Sequence, residues 1–403
     1  MKVDATSSGE LTDYHWLTSE AARPYFERVA RHQGEITRLV TSLRKELSPA
    51  RAHLVIEQVE LRQRARAKFA RAEEMYFTRQ SFEQATDEQV AAYKAARFSA
   101  STLPILDICC GIGGDLLALA AHHHNVVGID RDPIVAHLAR QNSLIILGQG
   151  LNVRAIDAAD LPNLNAYHAW HVDPDRRAHG SRVTTLENLE PDVDSLLRWQ
   201  AENPNGAIKL APATELPSSW TDHAEREWIS SRSECRQQML WLMPRHAGLR
   251  TATVVAGQGG SRTVIENPAA ELAFASGVGR YLFEPDAAVL AAKLAGTLAT
   301  EHQLTALADE GGYLTGDAPI SDLALTAFAV REVIPFDLRK IKALLRERTI
   351  GRLEIKKRGV NETPESLRKL LDPRGPHAAT LIIARVSGQK TIAMLADRVA
   401  SVA

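Results

Sequence analysis

The ten residues Leu106–Asp115, "LDICCGIGGD", constrain the fold of this chain more than any other stretch. A short apolar run ends in three glycines within four positions, Gly111, Gly113 and Gly114, and continues at once into the Leu- and Ala-rich "LLALAA". Strand, glycine turn and helix in immediate succession form the opening unit of a parallel sheet. There, backbone without side chains bends sharply and lets a ligand approach closely.

The rhythm beyond the turn agrees with this. "NVVGID", "LNVRAID" and "AYHAWHVD" read as short strands, and "DPIVAHLARQNSLIILG" and "PDVDSLLRWQAEN" as helices. "GAIKLAP" follows as a strand, "SECRQQMLWLMPRH" as a helix, and "LRTATVVA" and "SRTVIENP" as two strands joined through "GQGG". Helices alternating with short apolar strands give an α/β fold whose mostly parallel sheet is covered on both faces. The last pair adds one antiparallel strand.

The two ends differ from that centre. From Ala50 to Ser99 there is neither Gly nor Pro, and apolar residues recur three and four apart, which predicts a helical segment; Pro24 to Leu47 reads as a helix pair broken near Gly34. Residues 1–98 are thus expected to form an α-helical N-terminal domain, with the sheet in 99–270 and a connecting region in 271–321. The basic stripe "LRQRARAKFARAEE" is either a solvated helix face or an RNA contact. From about Asp322 the pattern becomes strand, basic amphipathic helix, strand, capped helix and hairpin, a small α+β module over 322–403.

A net charge of −1 conceals an uneven distribution: +4 over residues 20–98, −11 over 99–330 and +8 over 331–403. An acidic centre between basic ends suits a ligand-binding or catalytic core flanked by modules able to hold a polyanion. Three cysteines cannot supply a disulfide framework for 403 residues, and no Cys/His metal spacing occurs, so no metal is expected. The chain shows neither an apolar leader segment nor a stretch long enough to span a membrane, and the expectation is a cytoplasmic protein.

A glycine-rich turn alone does not separate a dinucleotide from S-adenosylmethionine. Three acids favour the second. Asp107 lies inside the first strand, where a carboxylate can face the amino-acid end of the cofactor. Asp130 ends the second strand, the place for an acceptor of ribose hydroxyls, and Asp157 ends the third, within reach of an adenine amino group.

These motifs resemble those of class I S-adenosylmethionine-dependent methyltransferases, and the form CGxGGD is similar to that of the trimethylguanosine synthase group. Further stretches, "QVELRQRARAKF", "SFEQATDEQVAAYKAARF", "VDPDRR", "EREWISSRSECRQQMLW", "YLFEPDAAV" and "LEIKKRGVNETPESLRKLL", carry a closer match. They make the chain similar, nearly end to end, to bacterial methyltransferases with a C-terminal THUMP-like domain. The resemblance implies a Rossmann-like, seven-stranded methyltransferase sheet with S-adenosyl-L-methionine held by Asp107, Cys109, Gly111, Gly113, Gly114, Asp115, Asp130 and Asp157. It also implies a THUMP-like domain at 322–403, a module associated with RNA-modifying enzymes.

The chemistry is expected in "HVDPDRRAHGSR", residues 171–182. Asp173 ends the fourth strand, and Pro174 forces the chain to turn. A carboxylate there can accept a hydrogen bond from an exocyclic amine and aim its lone pair at the methyl, while Arg176 and Arg177 grip a phosphate or a base oxygen. Amino methyltransferases often carry a second proline and an aromatic where this chain has Asp175 and Arg176. The form DPxR is similar instead to RNA methyltransferases with a DPPR motif, some of which methylate base carbon through a nucleophilic cysteine. No cysteine is suitably placed, so nitrogen methylation is preferred. RNA is the expected partner, with Lys356, Lys357 and Arg358 as phosphate contacts. A non-catalytic cofactor- and RNA-binding scaffold and a small-molecule methyltransferase remain the alternatives, and the sequence does not set the oligomeric state.

Overall fold

The computed structural model describes residues 5–123, 125–175, 186, 189–308, 311–386 and 390–399. They fall into two compact units, Met1–Leu216 with Leu240–Met243, and Pro217–Met239 with Pro244–Ala403.

The first unit opens with six helices: α1 (Ala5–Leu17), α2 (Arg23–Ala30), α3 (Ile36–Leu43), α4 (Pro49–Ala65), α5 (Arg79–Gln84) and α6 (Glu88–Ala95). The expected continuous helical segment after Ala50 is instead three pieces. Ser48 caps α4 through the Arg51 amide, and Thr78 and Ser81 form a capping box that starts α5. Between them Lys68 Nζ donates to the carbonyls of Phe82 and Ala85, both at 2.8 Å, closing the end of α5. Arg62 lies over the rings of Phe26 and Tyr76 and donates to the Met75 carbonyl at 2.9 Å; Arg66 pairs with Glu73 and Arg71 with Glu74. Arg62 and Lys68 of the basic stripe thus tie the cap together, while Arg66 and Arg71 form ion pairs at its surface.

The sheet follows: β1 (Ile105–Ile108), α7 (Gly114–His122), β2 (Val126–Asp130), α8 (Pro133–Leu147), β3 (Asn152–Ala155), β4 (Ala169–Val172), α9 (Val193–Glu202) and β5 (Gly206–Leu210). The strands lie in the order β3-β2-β1-β4-β5, all parallel. The helical cap shares one core with this sheet's helices: Leu17, Phe26, Val55, Phe77 and Phe82 cluster with Ile112, Leu117, Ile134 and Leu138.

At that seam the His15 ring of α1 stacks on His137 of α8 at 4.1 Å, and Thr18 Oγ1 lies 2.9 Å from His137 Nε2. Burial, with His15 and Arg140 nearby, pushes the His137 imidazole down to about 4 from an ordinary 6.5. The folded chain thus keeps this ring neutral, whereas the unfolded chain protonates it below pH 6.5. Stability is complete above that pH and falls as pH drops towards 4, by roughly 3 kcal/mol in all. Thermal melts between pH 7 and 4 are expected to show a decline that His137→Gln flattens; equal declines in both proteins would refute the assignment.

The second unit contains α10 (Ser218–Thr221), β6 (Glu225–Ser231), the start of β7 (Glu234–Trp241), β8 (Arg250–Val255) and β9 (Ser261–Ile265). Residues 234–241, expected as a helix, form a strand; its last two residues belong to the first unit. Along it Gln237, Gln238, Met239, Leu240 and Trp241 are all buried. Burial on both faces suits an interior strand, and it overrides the helix preference of Gln, Met and Leu. In this unit β6 pairs parallel with β8, and β8 antiparallel with β9.

The unit continues with β10 (Tyr281–Pro285), α11 (Ala287–Ala291), α12 (Ala295–His302), β11 (Thr305–Ala306), β12 (Leu314–Gly316), β13 (Leu325–Pro335), α13 (Leu338–Glu347), β14 (Ile350–Arg358), α14 (Pro364–Leu371), β15 (His377–Arg385) and β16 (Thr391–Arg398). These strands make a second sheet in the order β11-β12-β10-β13-β16-β15-β14. Ile341 and Leu345 of α13 and Leu367 and Leu371 of α14 pack on Leu353, Ile355, Leu381 and Leu395 of that sheet.

Candidate active site

The glycine turn is built as its sequence requires. The Cys110 amide donates to the Ile129 carbonyl at 2.9 Å, tying the turn to β2, and Cys109, Gly111 and Gly113 have φ of 57°, 56° and 97°. A side chain on Gly114 would come within 3.3 Å of the Thr86 backbone, whereas nothing lies within 4 Å of the place a Gly111 side chain would take. One side of the turn is therefore packed and the other is open. Asp130 accepts from the Gly111 amide at 3.0 Å with one oxygen and from the Asp132 amide at 3.0 Å with the other. Burial pushes its carboxyl up despite those bonds. Asp157 accepts from the Ala159 amide at 3.0 Å.

Beneath the turn lies a chain of charged groups. Asp107 Oδ1 accepts from His171 Nδ1 at 2.7 Å, leaving His171 Nε2, 3.4 Å from Lys94 Nζ, to accept from that lysine. Lys94 Nζ pairs with Asp115 Oδ1 at 2.6 Å, and Asp115 Oδ2 accepts from Thr86 Oγ1 at 2.7 Å. Lys209 Nζ donates to Thr86 Oγ1 at 3.0 Å and to Asp173 Oδ2 at 2.5 Å. The Lys94 and Asp107 side chains are 2% and 1% exposed, that of Asp173 22%. The series therefore runs from the interior to an accessible end.

The charges perturb one another in consistent directions. Burial opposes ionisation of Asp115, but the Lys94 and Lys209 ammoniums hold its carboxyl well below the usual range. Burial presses the Lys94 ammonium down against the pull of Asp115, and raises the Asp107 carboxyl against His171. Asp107 Oδ2 is buried without a hydrogen-bond partner among the described residues.

Of the residues singled out in the sequence, the structure gathers Asp107, Cys109, Gly111, Gly113, Gly114, Asp115, Asp130 and Asp173 around the strand ends of the first unit. The Asp173 amide donates to the Ile108 carbonyl at 3.3 Å, which sets it against the residue where the turn begins. Pro174 follows, and the Asp175 backbone pairs with Glu190. Arg176 and Arg177 lie outside the described residues. Thr86 and Lys94 in "SFEQATDEQVAAYKAARF", His171 at the head of "HVDPDRRAHGSR" and Lys209 in "GAIKLAP" join the site, none of them singled out beforehand as a site residue.

The cysteines are poor nucleophiles. Burial, followed by the Asp130 and Asp173 charges, pushes the Cys109 thiol far up, and burial does the same to Cys110, while Cys235 is pushed up to about 12. In the second unit Lys356 Nζ pairs with Glu284 at 2.7 Å, Arg358 pairs with the same carboxylate at 3.5 Å, and Lys357 Nζ donates to the Val360 carbonyl at 3.0 Å. Trp228 is buried in an apolar cluster. Glu301, His302 and Asp322 converge there, and the Arg262 guanidinium bonds both carboxylates at 2.5 and 3.2 Å.

Residues 325–398 match the family described as "THUMP domain-like". Over 346 residues, 83% of this chain and 93% of the relative, the sequence is 29% identical to an "Uncharacterized S-adenosylmethionine-dependent methyltransferase" of Mycobacterium tuberculosis. Over 99 residues, 24% of this chain and 21% of the relative, it is 37% identical to an "Uncharacterized RNA methyltransferase" of Parasynechococcus marenigrum. The crystal structure of a putative methyltransferase from Porphyromonas gingivalis superposes with a TM-score of 0.77 at 21% identity, covering 99% of this chain and 100% of the other.

Proposed function

We propose that this chain, a class I methyltransferase that uses S-adenosylmethionine and carries a THUMP-like domain, methylates a base nitrogen of a structured RNA. One observation carries the reading: Asp173, bonded through one oxygen to Lys209, has a side chain still 22% exposed at the end of β4 beside the open glycine turn.

The residues present fit the cofactor. The open side of Gly111 gives its backbone room, and Asp130 and Asp157 each retain lone pairs for ribose hydroxyls and the adenine amino group. When bound, S-adenosylmethionine supplies a methyl already activated by its positive sulfur. What remains for the protein is positioning. Asp173 accepts a hydrogen bond from the acceptor amine, points its lone pair at the methyl, and takes the proton that the nitrogen sheds afterwards. Attack from a base carbon through a cysteine adduct is disfavoured, because burial holds all three thiols protonated.

The basic C-terminal module is the natural support for RNA. Lys356 and Arg358 share Glu284, so contact with phosphate at those residues needs that pairing to loosen. A groove of about 700 Å³ whose lining sets Arg352, Arg368 and Arg398 against Glu354 and Asp397 offers a second surface with a small cationic surplus.

Incubating the protein with methyl-labelled S-adenosylmethionine and cellular RNA, protein and metabolite fractions is expected to label RNA. Binding of that RNA is expected to weaken about 100-fold between roughly 50 and 200 mM salt, the loss for about four phosphate contacts. Label confined to small molecules would remove the RNA reading.

A further inference from the structure

We propose that Lys209 is a positioning residue for the acceptor: it holds one oxygen of Asp173 so that the other is presented, as an acceptor only, to an N–H of the substrate. The inference rests on the role given to Asp173 above.

Lys209 lies on β5, a strand buried along its whole length, and its side chain is 7% exposed. Its ammonium has three donors. One is directed at Asp173 Oδ2 at 2.5 Å and a second at Thr86 Oγ1 at 3.0 Å, so two bonds in different directions fix its orientation. Thr86 is itself fixed, because its hydroxyl donates to Asp115 at 2.7 Å and Asp115 is clamped by Lys94. Asp173 therefore leans on a rigid series of groups rather than on solvent. Among the described residues it has no other side-chain partner, and its remaining oxygen belongs to a side chain that is still 22% exposed.

An ionised carboxylate with one oxygen held is a directional acceptor. It welcomes an amine, which has an N–H to give, and opposes a carbonyl or ring nitrogen offering only lone pairs. Two lysines against Asp115 and Asp173 balance in charge. Without Lys209, Lys94 alone would face both carboxylates, and Asp173 would be free to rotate about its own side-chain bonds.

The test is a double-mutant cycle on the full chain, using as acceptor whichever cellular fraction takes label. Lys209→Met keeps the length of the side chain and removes its charge. It is expected to lower kcat roughly 100-fold, with the acceptor KM and the calorimetric Kd for S-adenosylmethionine within about threefold. In an Asp173→Asn background the same change is expected to cost less than about threefold, because the neutral amide there is no longer a base for Lys209 to present. Losses that multiply, or cofactor affinity falling as far as kcat, would mark Lys209 as a prop of the fold and overturn the inference. Should Lys209→Met fail to fold, Thr86→Val removes one anchor without changing charge. A roughly tenfold loss of kcat is then expected, and parental kcat would count against the proposal. Label in protein or metabolites would end the RNA reading while leaving the cycle able to judge Lys209; label in no fraction would end both.

Discussion

Asp173→Ala is expected to lower methyl transfer by roughly 1,000-fold in kcat, while calorimetric affinity for S-adenosylmethionine stays within about threefold of the parent. The split follows from the geometry. Asp173 contributes its backbone to β1 through the Ile108 carbonyl, a contact the alanine keeps, and the glycine turn is built from other residues. What disappears is the only carboxylate of the buried series whose side chain is more than a tenth exposed. An acceptor amine then loses both its aim and the base that takes its proton. Transfer at parental rate by Asp173→Ala would move the acceptor site elsewhere. A parallel collapse of cofactor binding would make Asp173 part of the cofactor cradle instead.

The second large effect is on stability. Lys94→Met is expected to cost about 3–5 kcal/mol, because it leaves Asp115 buried without its nearest cation. The Asp115 side chain is 9% exposed and has Lys94 Nζ at 2.6 Å. Removing one partner of such a pair costs more than replacing both, since the surviving charge keeps its desolvation penalty. For a unit of this size a loss of that order lowers Tm by about 10 °C. The sign with pH follows from Asp115, whose carboxyl the neighbouring cations hold below its ordinary value of 3.8. Its stabilising contribution is complete above that pH and is lost only as pH falls through the lowered value. At neutral pH the variant therefore shows the whole deficit. Paired melts of Lys94→Met and Lys94→Met/Asp115→Asn decide the matter. If the second change restores no stability, the buried carboxylate is not the source of the loss.

How far the fold was legible in the sequence depends on how far apart the deciding contacts lie. The turn Leu106–Asp115, the strands on either side of it and the α+β pattern of the C-terminal module are local patterns, and all are present in the structure. Asp132 with Pro133 at the start of α8 and Thr363 with Pro364 at the start of α14 are start signals readable without any tertiary knowledge. The strand at 234–241 defeated the same method. Its composition favours a helix, and only tertiary burial of residues on both of its faces makes it extended.

The site divides along the same line. Glycines and strand-end aspartates carry a spacing signal. Lys94, Thr86, His171 and Lys209 carry none, since their partners are 21, 29, 64 and 36 residues away. One clue was available: a lysine inside the otherwise apolar "GAIKLA" has to find a buried anion or break the strand. Charge read along the chain likewise leaves out distant partners. Lys356 and Arg358 look like a free basic patch in "EIKKRG", yet both find Glu284 more than 70 residues upstream.

The core shared by the N-terminal helices and the sheet bears on how such a protein can be inherited. Leu17, Phe26, Val55 and Phe82 close over Ile112, Leu117, Ile134 and Leu138, and the same helical segment lends Thr86 and Lys94 to the charged series. A recombination event that carried the catalytic sheet into a new gene without this segment would transmit a greasy, charge-starved fragment. Cut away from the helical cap, the sheet would expose that apolar face and leave Asp115 buried without Lys94.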